Sequence, residues 1–100
     1  MKPIIPPVDR LKIEHELTDD KFLRNTNKAN NIVFVVDHHD SPDIMREIGR
    51  LRELTFRAAG GGTGKEADID RYDVADEPYK QLIVWDPDKK EILGGYRFFI

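Results

Sequence analysis

The amino-acid sequence predicts an α+β fold in which one long helix covers a small antiparallel sheet. Three patterns support this: a β-branched and aromatic run at 31–37, a long amphipathic segment at 42–58, and two strand-like runs that flank a turn at 87–90. In this layer arrangement the helix packs on one face of the sheet. The 100 residues provide one small domain and no second core.

Residues 1–30 are polar and are predicted to form an N-terminal extension with short helices. Three prolines interrupt the first seven residues. The segments Asp9 to Leu17 and Thr18 to Leu23 each suit a short helix. Thr18 is a favourable N-cap, because two aspartates follow it where a helix N-terminus favours negative charge.

The strand and the long helix follow each other directly. Asn31 to Asp37 shows no alternation, so we expect a strand covered on both faces. Ser41 and Pro42 predict the helix start, since the hydroxyl can cap free amides and the proline ring suits the first helical position. Gly60 is expected to end the helix in the left-handed conformation. One helix stripe carries Ile44, Ile48, Leu51, Thr55 and Ala58, with Leu54 beside it.

The helix leads into a glycine-rich and then acidic segment. Four of residues 60–64 are glycine and six of the twelve residues 66–77 are acidic, which predicts a loop. Tyr79 to Asp86 and Glu91 to Ile100 then flank a turn and predict a hairpin. The second strand lacks a following partner, so we expect an open sheet edge through which a homodimer can form.

Composition excludes several classes of function. The net charge of −3 lacks the basic excess of nucleic-acid-binding proteins. The absence of cysteine excludes disulfides, thiolate catalysis and cysteine-based zinc sites. The longest apolar run has five residues, whereas a membrane span needs about 20. Without a secretory signal, we expect a cytoplasmic location, which includes peripheral attachment at the inner membrane.

The string GGGTGKE is similar in composition to a phosphate-binding P-loop. However, Ala59 occupies the first glycine position, and Glu66 follows Lys65 where a hydroxyl is required. The segment also follows a helix rather than a strand. A flexible loop is therefore predicted in place of a nucleotide site.

The triplet Asp37-His38-His39, followed by Asp40, is typical of a family of metal-dependent phosphoesterases. A two-metal site needs further carboxylates on an upstream strand, and residues 1–36 carry no such strand. A polar turn between strand and helix is the favoured interpretation, and a phosphoesterase is the weaker alternative. No metal site is predicted.

The acidic segment gains meaning from charges elsewhere in the chain. Counted from Asp68, its sixth residue is Asp73 rather than glycine, which excludes an EF-hand loop. Arg52 and Phe56 are four residues apart and share one helix face, and Arg97 lies on the last strand. Because surface ion pairs stabilise little, the arginines and carboxylates together indicate a buried charge network or a site for a charged amine.

The order L-R-x-x-x-F, D-x-D-x-x-D and a hairpin ending in G-x-R-F resembles the N-terminal half of the acyl-homoserine-lactone synthases. It is also similar to their relatives in the Gcn5-related N-acyltransferase superfamily that start ornithine-lipid and glycine-lipid synthesis. The region 41–99 is similar to bacterial proteins labelled hemolysins. The matching positions are Leu51, Arg52, Phe56, Asp68, Asp70, Asp73 and Arg97.

Two departures from the family pattern limit the resemblance. Asp68 replaces the usual glutamate, and the tryptophan between the two motifs of the lactone synthases is absent, which argues against lactone synthesis. The superfamily fold continues beyond this hairpin into the helix N-terminus that binds the acyl donor. The resemblance thus implies that 31–100 is the acceptor-side part of an N-acyltransferase-like domain, truncated, inactive alone and binding no cofactor itself.

The resemblance implies a reaction in lipid biosynthesis. A fatty acyl group passes from the phosphopantetheine thioester of acyl carrier protein, or from acyl-CoA, to the amine of a small amino acid. Asp68 or Asp70 would act as the catalytic base. A non-catalytic α+β interaction module is the alternative. Substrate binding and the charge network would involve Arg52, Phe56, Glu66, Asp73 and Arg97.

Overall fold

A computed structural model describes residues 1–26 and 30–99, and its four strands form one antiparallel sheet in the order β1-β2-β3-β4. The single long helix lies between β2 and β3 in the chain. The predicted α+β class is therefore confirmed. The elements are α1 (Arg10–Glu16), a 3₁₀ helix (Asp19–Lys21), β1 (Phe22–Asn25), β2 (Ile32–Val36), α2 (Pro42–Ala58), β3 (Lys80–Asp86) and β4 (Glu91–Phe98).

The core lies between α2 and one face of the sheet. Residues of β2 and β3 reach it at every second position, as the strand period requires. Val33, which points to the opposite face of β2, is buried as well, which agrees with the expected two-sided cover. Burying one such side chain stabilises the fold by about 1.5–3 kcal/mol. The core residues are Val8, Ile13, Phe34, Val36, Ile44, Met45, Ile48, Ile83 and Trp85.

The first thirty residues follow the prediction only in part. The helix expected at Asp9 to Leu17 is confirmed as α1, and the Asp9 carboxylate caps it. The helix expected at Thr18 to Leu23 is wrong, because only a 3₁₀ turn forms before β1 pairs with β2. Strand pairing and an edge-on ring contact of Phe22 with Phe34, 6.3 Å between centroids, override the local helix signal. A domain boundary at residue 30 stays a prediction.

The start of α2 is capped by a residue far away in the sequence. Pro42 takes the first helical position as predicted, but the Ser41 hydroxyl donates to Asp40 and makes no capping hydrogen bond. The backbone N–H groups of Asp43 and Ile44 donate instead to the Glu16 carboxylate, at 2.9 and 2.7 Å. The end of α1 thereby holds the start of α2.

The C-terminal half of α2 is less covered than its first half. Ile44 and Ile48 are buried, whereas Thr55 and Ala58 of the same predicted stripe are exposed. Gly60 has a φ of +89°, so the predicted left-handed helix end is confirmed. The segment between α2 and β3 contains neither helix nor strand, as expected of a loop.

The hairpin forms as predicted, with β3 and β4 in antiparallel register. Lys90 in its turn has a φ of +56°. In the described residues β4 pairs only with β3 and is an edge strand, on which Leu93 and Tyr96 are exposed. The predicted strand end at Ile100 lies outside the described residues, and the homodimer stays a prediction. No helix in 1–26 or 30–99 is long and apolar enough to cross a membrane.

Candidate functional site

An open groove of about 360 Å³ separates the C-terminal half of α2 from β3 and β4. Gly95 lies on the helix-facing side of β4, opposite Ile83, and leaves this position of the strand without a side chain. Glycine is required here, because a Cβ would collide with the carbonyl oxygen of Leu82. Apolar side chains line most of the groove, and its polar part comes from Arg52, Thr55, Gln81 and Tyr96.

The carboxylate of Asp73 is the centre of a charge network beside this groove. Asp73 is completely buried. Its Oδ2 accepts hydrogen bonds from Nη1 of Arg52 and from the backbone N–H of Asp70, both at 3.0 Å. Its Oδ1 accepts from Nε2 of Gln81 at 2.9 Å and from Nη1 of Arg97 at 3.4 Å. These donors offset the cost of burying the charge, which is high for an unpaired carboxylate.

Asp70 and Arg97 form the more accessible part of the network. Nη1 of Arg97 lies 2.8 and 2.7 Å from the two carboxylate oxygens of Asp70. The Arg97 side chain is 34% exposed and that of Asp70 is 44% exposed. The backbone N–H of Tyr72 donates to Asp70 at 2.9 Å.

The contacts of this pair shift both pKa values. Partial burial raises the pKa of Asp70, but the Arg97 and backbone hydrogen bonds outweigh burial and leave it below its ordinary value. The hydrogen bond with Asp70 raises the pKa of Arg97 against an opposing effect of burial. Asp70 is therefore ionised at neutral pH and a weak base.

Gln81 belongs to the network, although the sequence analysis did not single it out. Its Oε1 accepts from Nη2 of Arg52 at 2.9 Å, while its amide donates to Asp73. A signal was present in the sequence, because Gln81 alternates with Ile83 and Trp85 along β3 and therefore occupies a core-facing position. A polar side chain at such a position needs hydrogen-bonding partners.

Two tyrosines missed by the sequence analysis lie against the guanidinium of Arg97. Its Cζ lies 5.9 Å from the ring centroid of Tyr72 and 5.2 Å from that of Tyr79. The ring centroids of the two tyrosines are 5.4 Å apart, and the ring centroid of Phe99 lies 5.2 Å from that of Tyr79. Such cation–π contacts contribute about 0.5–1 kcal/mol at exposed sites. No spacing rule links these tyrosines to Arg97, so only the tertiary structure reveals the contact.

Three predicted site residues lie outside the hydrogen-bonded network. The backbone N–H of Asp68 donates to the carbonyl of Gly49 at 2.9 Å, and the Glu66 carbonyl accepts from Ile5 at 3.0 Å. Within 1–26 and 30–99, neither side-chain carboxylate has a hydrogen-bonding partner. Phe56 is 49% exposed and lines the groove. The structure therefore brings together Arg52, Asp70, Asp73 and Arg97 of the predicted set.

The Asp-His-His-Asp string forms a polar turn, as the favoured interpretation predicts. Asp37 accepts from the backbone N–H groups of His39 and Asp40 and from Nζ of Lys80 at 2.6 Å. Nε2 of His39 lies 3.1 Å from the carbonyl oxygens of residues 75 and 76. The part of the chain that the structure describes contains no group of three or more side chains that could hold a metal ion.

Comparison with known proteins points to the same half of the chain. A family model described as an acetyltransferase (GNAT) domain matches residues 51–100, which carry most of the groove, the acidic loop at 66–77 and the hairpin. The chain is 57% identical over its 100 residues to proteins named glycine N(alpha)-acyltransferase from Phocaeicola vulgatus and Bacteroides thetaiotaomicron. It spans 31% and 30% of their lengths. No solved structure matches the chain.

Proposed function

We propose, from the premise that this chain belongs to the acetyltransferase (GNAT) domain family, that it forms the amino-acid-binding part of an N-acyltransferase. The superfamily inferred from the ordered motifs is the one matched. The names of the two relatives favour glycine as the acceptor. One observation carries the proposal: arginines from α2 and β4 meet the carboxylates of the acidic loop beside a groove that a substrate can enter.

Arg52 is suited to bind the carboxylate of the amino acid. A guanidinium has five N–H donors, and Arg52 uses one on Asp73 and one on Gln81. The remaining donors have no partner in 1–26 or 30–99, and the side chain is 22% exposed at the groove. A planar guanidinium whose position is fixed by two hydrogen bonds loses little entropy when it binds a carboxylate. Arg97 supports this role by holding the acidic loop.

The acidic loop supplies the groups for the amine. An amino acid enters as an ammonium ion and must lose a proton before its nitrogen can attack. Asp70, ionised and held by Arg97, attracts and orients the ammonium group. The side-chain carboxylate of Asp68 has no hydrogen-bonding partner in the described chain, so it is free to accept the proton directly or through water. General base catalysis of this kind contributes about 10²–10⁴-fold in rate.

The apolar part of the groove suits the acyl donor. We assign it to the first methylenes of a fatty acyl group carried as a thioester on acyl carrier protein or CoA. Leu51, Phe56, Ile92 and Leu93 line this part, and each buried methylene contributes about 0.8 kcal/mol. In the reaction the amine nitrogen attacks the thioester carbonyl, the carbon–sulfur bond breaks, and the thiol leaves as an N-acyl amino acid forms. Such a product belongs to lipid biosynthesis.

An acyl-transfer assay with the full-length protein tests this function. We expect glycine-dependent release of thiol from a long-chain acyl thioester, together with N-acylglycine detected by mass spectrometry. Acyl carrier protein and CoA thioesters are compared to identify the donor, and serine and ornithine are compared to identify the acceptor. Thiol release that does not require any amine, or the absence of amide with both donors, would overturn the proposal.

A further inference from the structure

The glycine-rich segment after α2 encloses a carboxylate of the chain itself. Glu53 is completely buried. Its Oε1 accepts from the backbone N–H and the hydroxyl of Thr63, at 2.9 and 2.7 Å. Its Oε2 accepts from the backbone N–H of Gly64 and from Nε of Arg57, both at 3.0 Å. Consecutive backbone N–H groups around an anion form the same kind of nest that binds phosphate, but here the donors are already used by Glu53.

Gly62 shows that the segment is built around this carboxylate. Its φ is +91°, a conformation that favours glycine. A Cβ at this position would also lie 2.8 Å from Oε2 of Glu53 and 3.3 Å from the backbone nitrogen of Arg57. The backbone can approach the carboxylate this closely only without a side chain. The glycine at position 62 therefore has a structural cause in Glu53.

Further hydrogen bonds hold the chain between this segment and the site. The N-terminal residues run beside it, and Lys2 and Ile5 donate backbone hydrogen bonds to the carbonyls of Gly64 and Glu66, at 2.9 and 3.0 Å. Arg57 donates to the carbonyl oxygens of Lys2 and Lys65, at 2.8 and 2.7 Å. Two residues beyond Glu66, the backbone of Asp68 is held by α2. Glu53 and its arginine thus begin a chain of contacts that ends at the acidic loop.

We infer that Glu53 is a positioning residue that sets the acidic loop against Arg52 and Arg97. The Glu53 carboxylate makes no hydrogen bond or ion pair with the network residues 68–73, 81 and 97, so it acts through the glycine-rich segment. This inference rests on the proposed function, in which Asp68 and Asp70 serve the amino acid. A misplacement of about 1 Å can cost about 10²-fold in rate even when the altered residue is far from the chemistry.

Kinetics of the full-length Glu53→Gln variant test the inference. Glutamine keeps the size of the side chain but places an NH₂ group among donors. We expect the KM for glycine to rise about tenfold, while the KM for the acyl donor stays within about twofold, since only the acceptor side is displaced. Thr63→Val, which removes one hydroxyl donor, should shift the same constant in the same direction by a smaller factor.

Glu47→Gln is the matched control. Glu47 lies on the same helix, is 9% exposed, and accepts from the backbone of Val8 and from Arg50, but it does not touch the glycine-rich segment. It should lower the melting temperature without changing the KM for glycine. An equal rise of this KM in both glutamate variants would show a general loss of stability and overturn the inference.

Hydrogen exchange of the backbone amides gives a readout that does not depend on activity. In Glu53→Gln we expect exchange to accelerate about tenfold at Asp70, Tyr72 and Asp73, with no change in β3. Acceleration confined to Thr63 and Gly64 would overturn the inference. If the wild-type protein transfers no acyl group, the proposed function fails, but this experiment still decides whether Glu53 positions the loop.

Discussion

Two completely buried carboxylates, Glu53 and Asp73, are stabilised in different ways. The partners of Glu53 lie four to eleven residues further along the chain, in the last turns of α2 and the loop after it. The arginine partners of Asp73 are 21 and 24 residues away, on α2 and β4. Glu53 is therefore held by one local segment, whereas Asp73 joins separate elements of the fold.

The difference favours one of the two regions as the proposed substrate site. All four hydrogen bonds to the Glu53 carboxylate come from residues 57–64, at the end of α2 and in the loop after it. Glu53 does not line the groove. The arginine partners of Asp73 are 22% and 34% exposed, and Arg52 reaches the groove. Arg57, the arginine partner of Glu53, does not line the groove and donates its Nη1 and Nη2 to backbone carbonyls. A charge network that keeps its arginine donors accessible can exchange or extend its contacts on binding the proposed amino acid substrate. We therefore interpret Glu53 and its partners in 57–64 as a structural scaffold. We interpret Asp73 with its partners Arg52, Gln81 and Arg97 as the candidate functional site.

The largest expected effect tests whether the acidic loop supplies the catalytic base. Asp68→Asn in the full-length protein should lower kcat for N-acylation by about 10²–10⁴-fold, because the amide cannot accept the proton. Asp70→Asn should act mainly on the KM for glycine, since its lowered pKa makes it a poor base. Steady-state kinetics at several glycine concentrations separate the two. Unchanged kcat in Asp68→Asn would remove this residue from the mechanism.

The next largest effect concerns stability at the centre of the network. Asp73→Asn leaves Arg52 and Arg97 without their buried counterion, and breaking such a pair costs about 3–5 kcal/mol. Thermal unfolding followed by circular dichroism measures the loss as a fall in melting temperature. The exposed Asp76, mutated to Asn in the same loop, is the control and should change the melting temperature by no more than a degree or so. Equal effects of the two changes would contradict a central role for Asp73.

A smaller effect sharpens the assignment of Arg52. Arg52→Lys keeps the charge but cannot contact Asp73, Gln81 and a substrate carboxylate together. We expect the KM for glycine to rise at least about tenfold, because one charge-assisted hydrogen bond contributes about 1.5–3 kcal/mol. Arg46→Lys changes an exposed arginine of the same helix and should leave the KM unchanged. A normal KM in Arg52→Lys would assign the carboxylate of glycine to another donor.

The smallest expected effect is the pH dependence of the stability that Glu53 contributes. The hydrogen bond from the Thr63 hydroxyl lowers the pKa of Glu53 from 4.5 to about 2. Burial opposes this shift, and the hydrogen bonds from Arg57 and from the backbone add to it. A lowered folded-state pKa gives stability that is present above pH 4.5 and is lost as the pH falls towards 2. The difference in unfolding midpoint between wild type and Glu53→Gln should therefore be smaller at pH 3 than at pH 6. A constant difference between these pH values would show that Glu53 is not held as an anion.

Much of the fold could be predicted because its signals are local. The proline at position 42, the glycine at 60 and the turn at 87–90 act through backbone conformations that single residues prefer. The strand at β2 follows from an apolar run of the length that a covered strand needs. The helix expected at Thr18 to Leu23 failed because its residues gain more from pairing with β2 than from local helical contacts.

The sequence by itself determined which charged residues are available and in what order along the chain: Arg52, the carboxylates of 66–73, and Arg97. The tertiary structure decided which of them meet. It placed Gln81 between Arg52 and Asp73 and brought Tyr72 and Tyr79 against Arg97. It also gave the start of α2 a cap from Glu16. The physical reason is that hydrogen bonds and ion pairs act over a few ångströms, and only the strand register and the helix position bring distant residues that close.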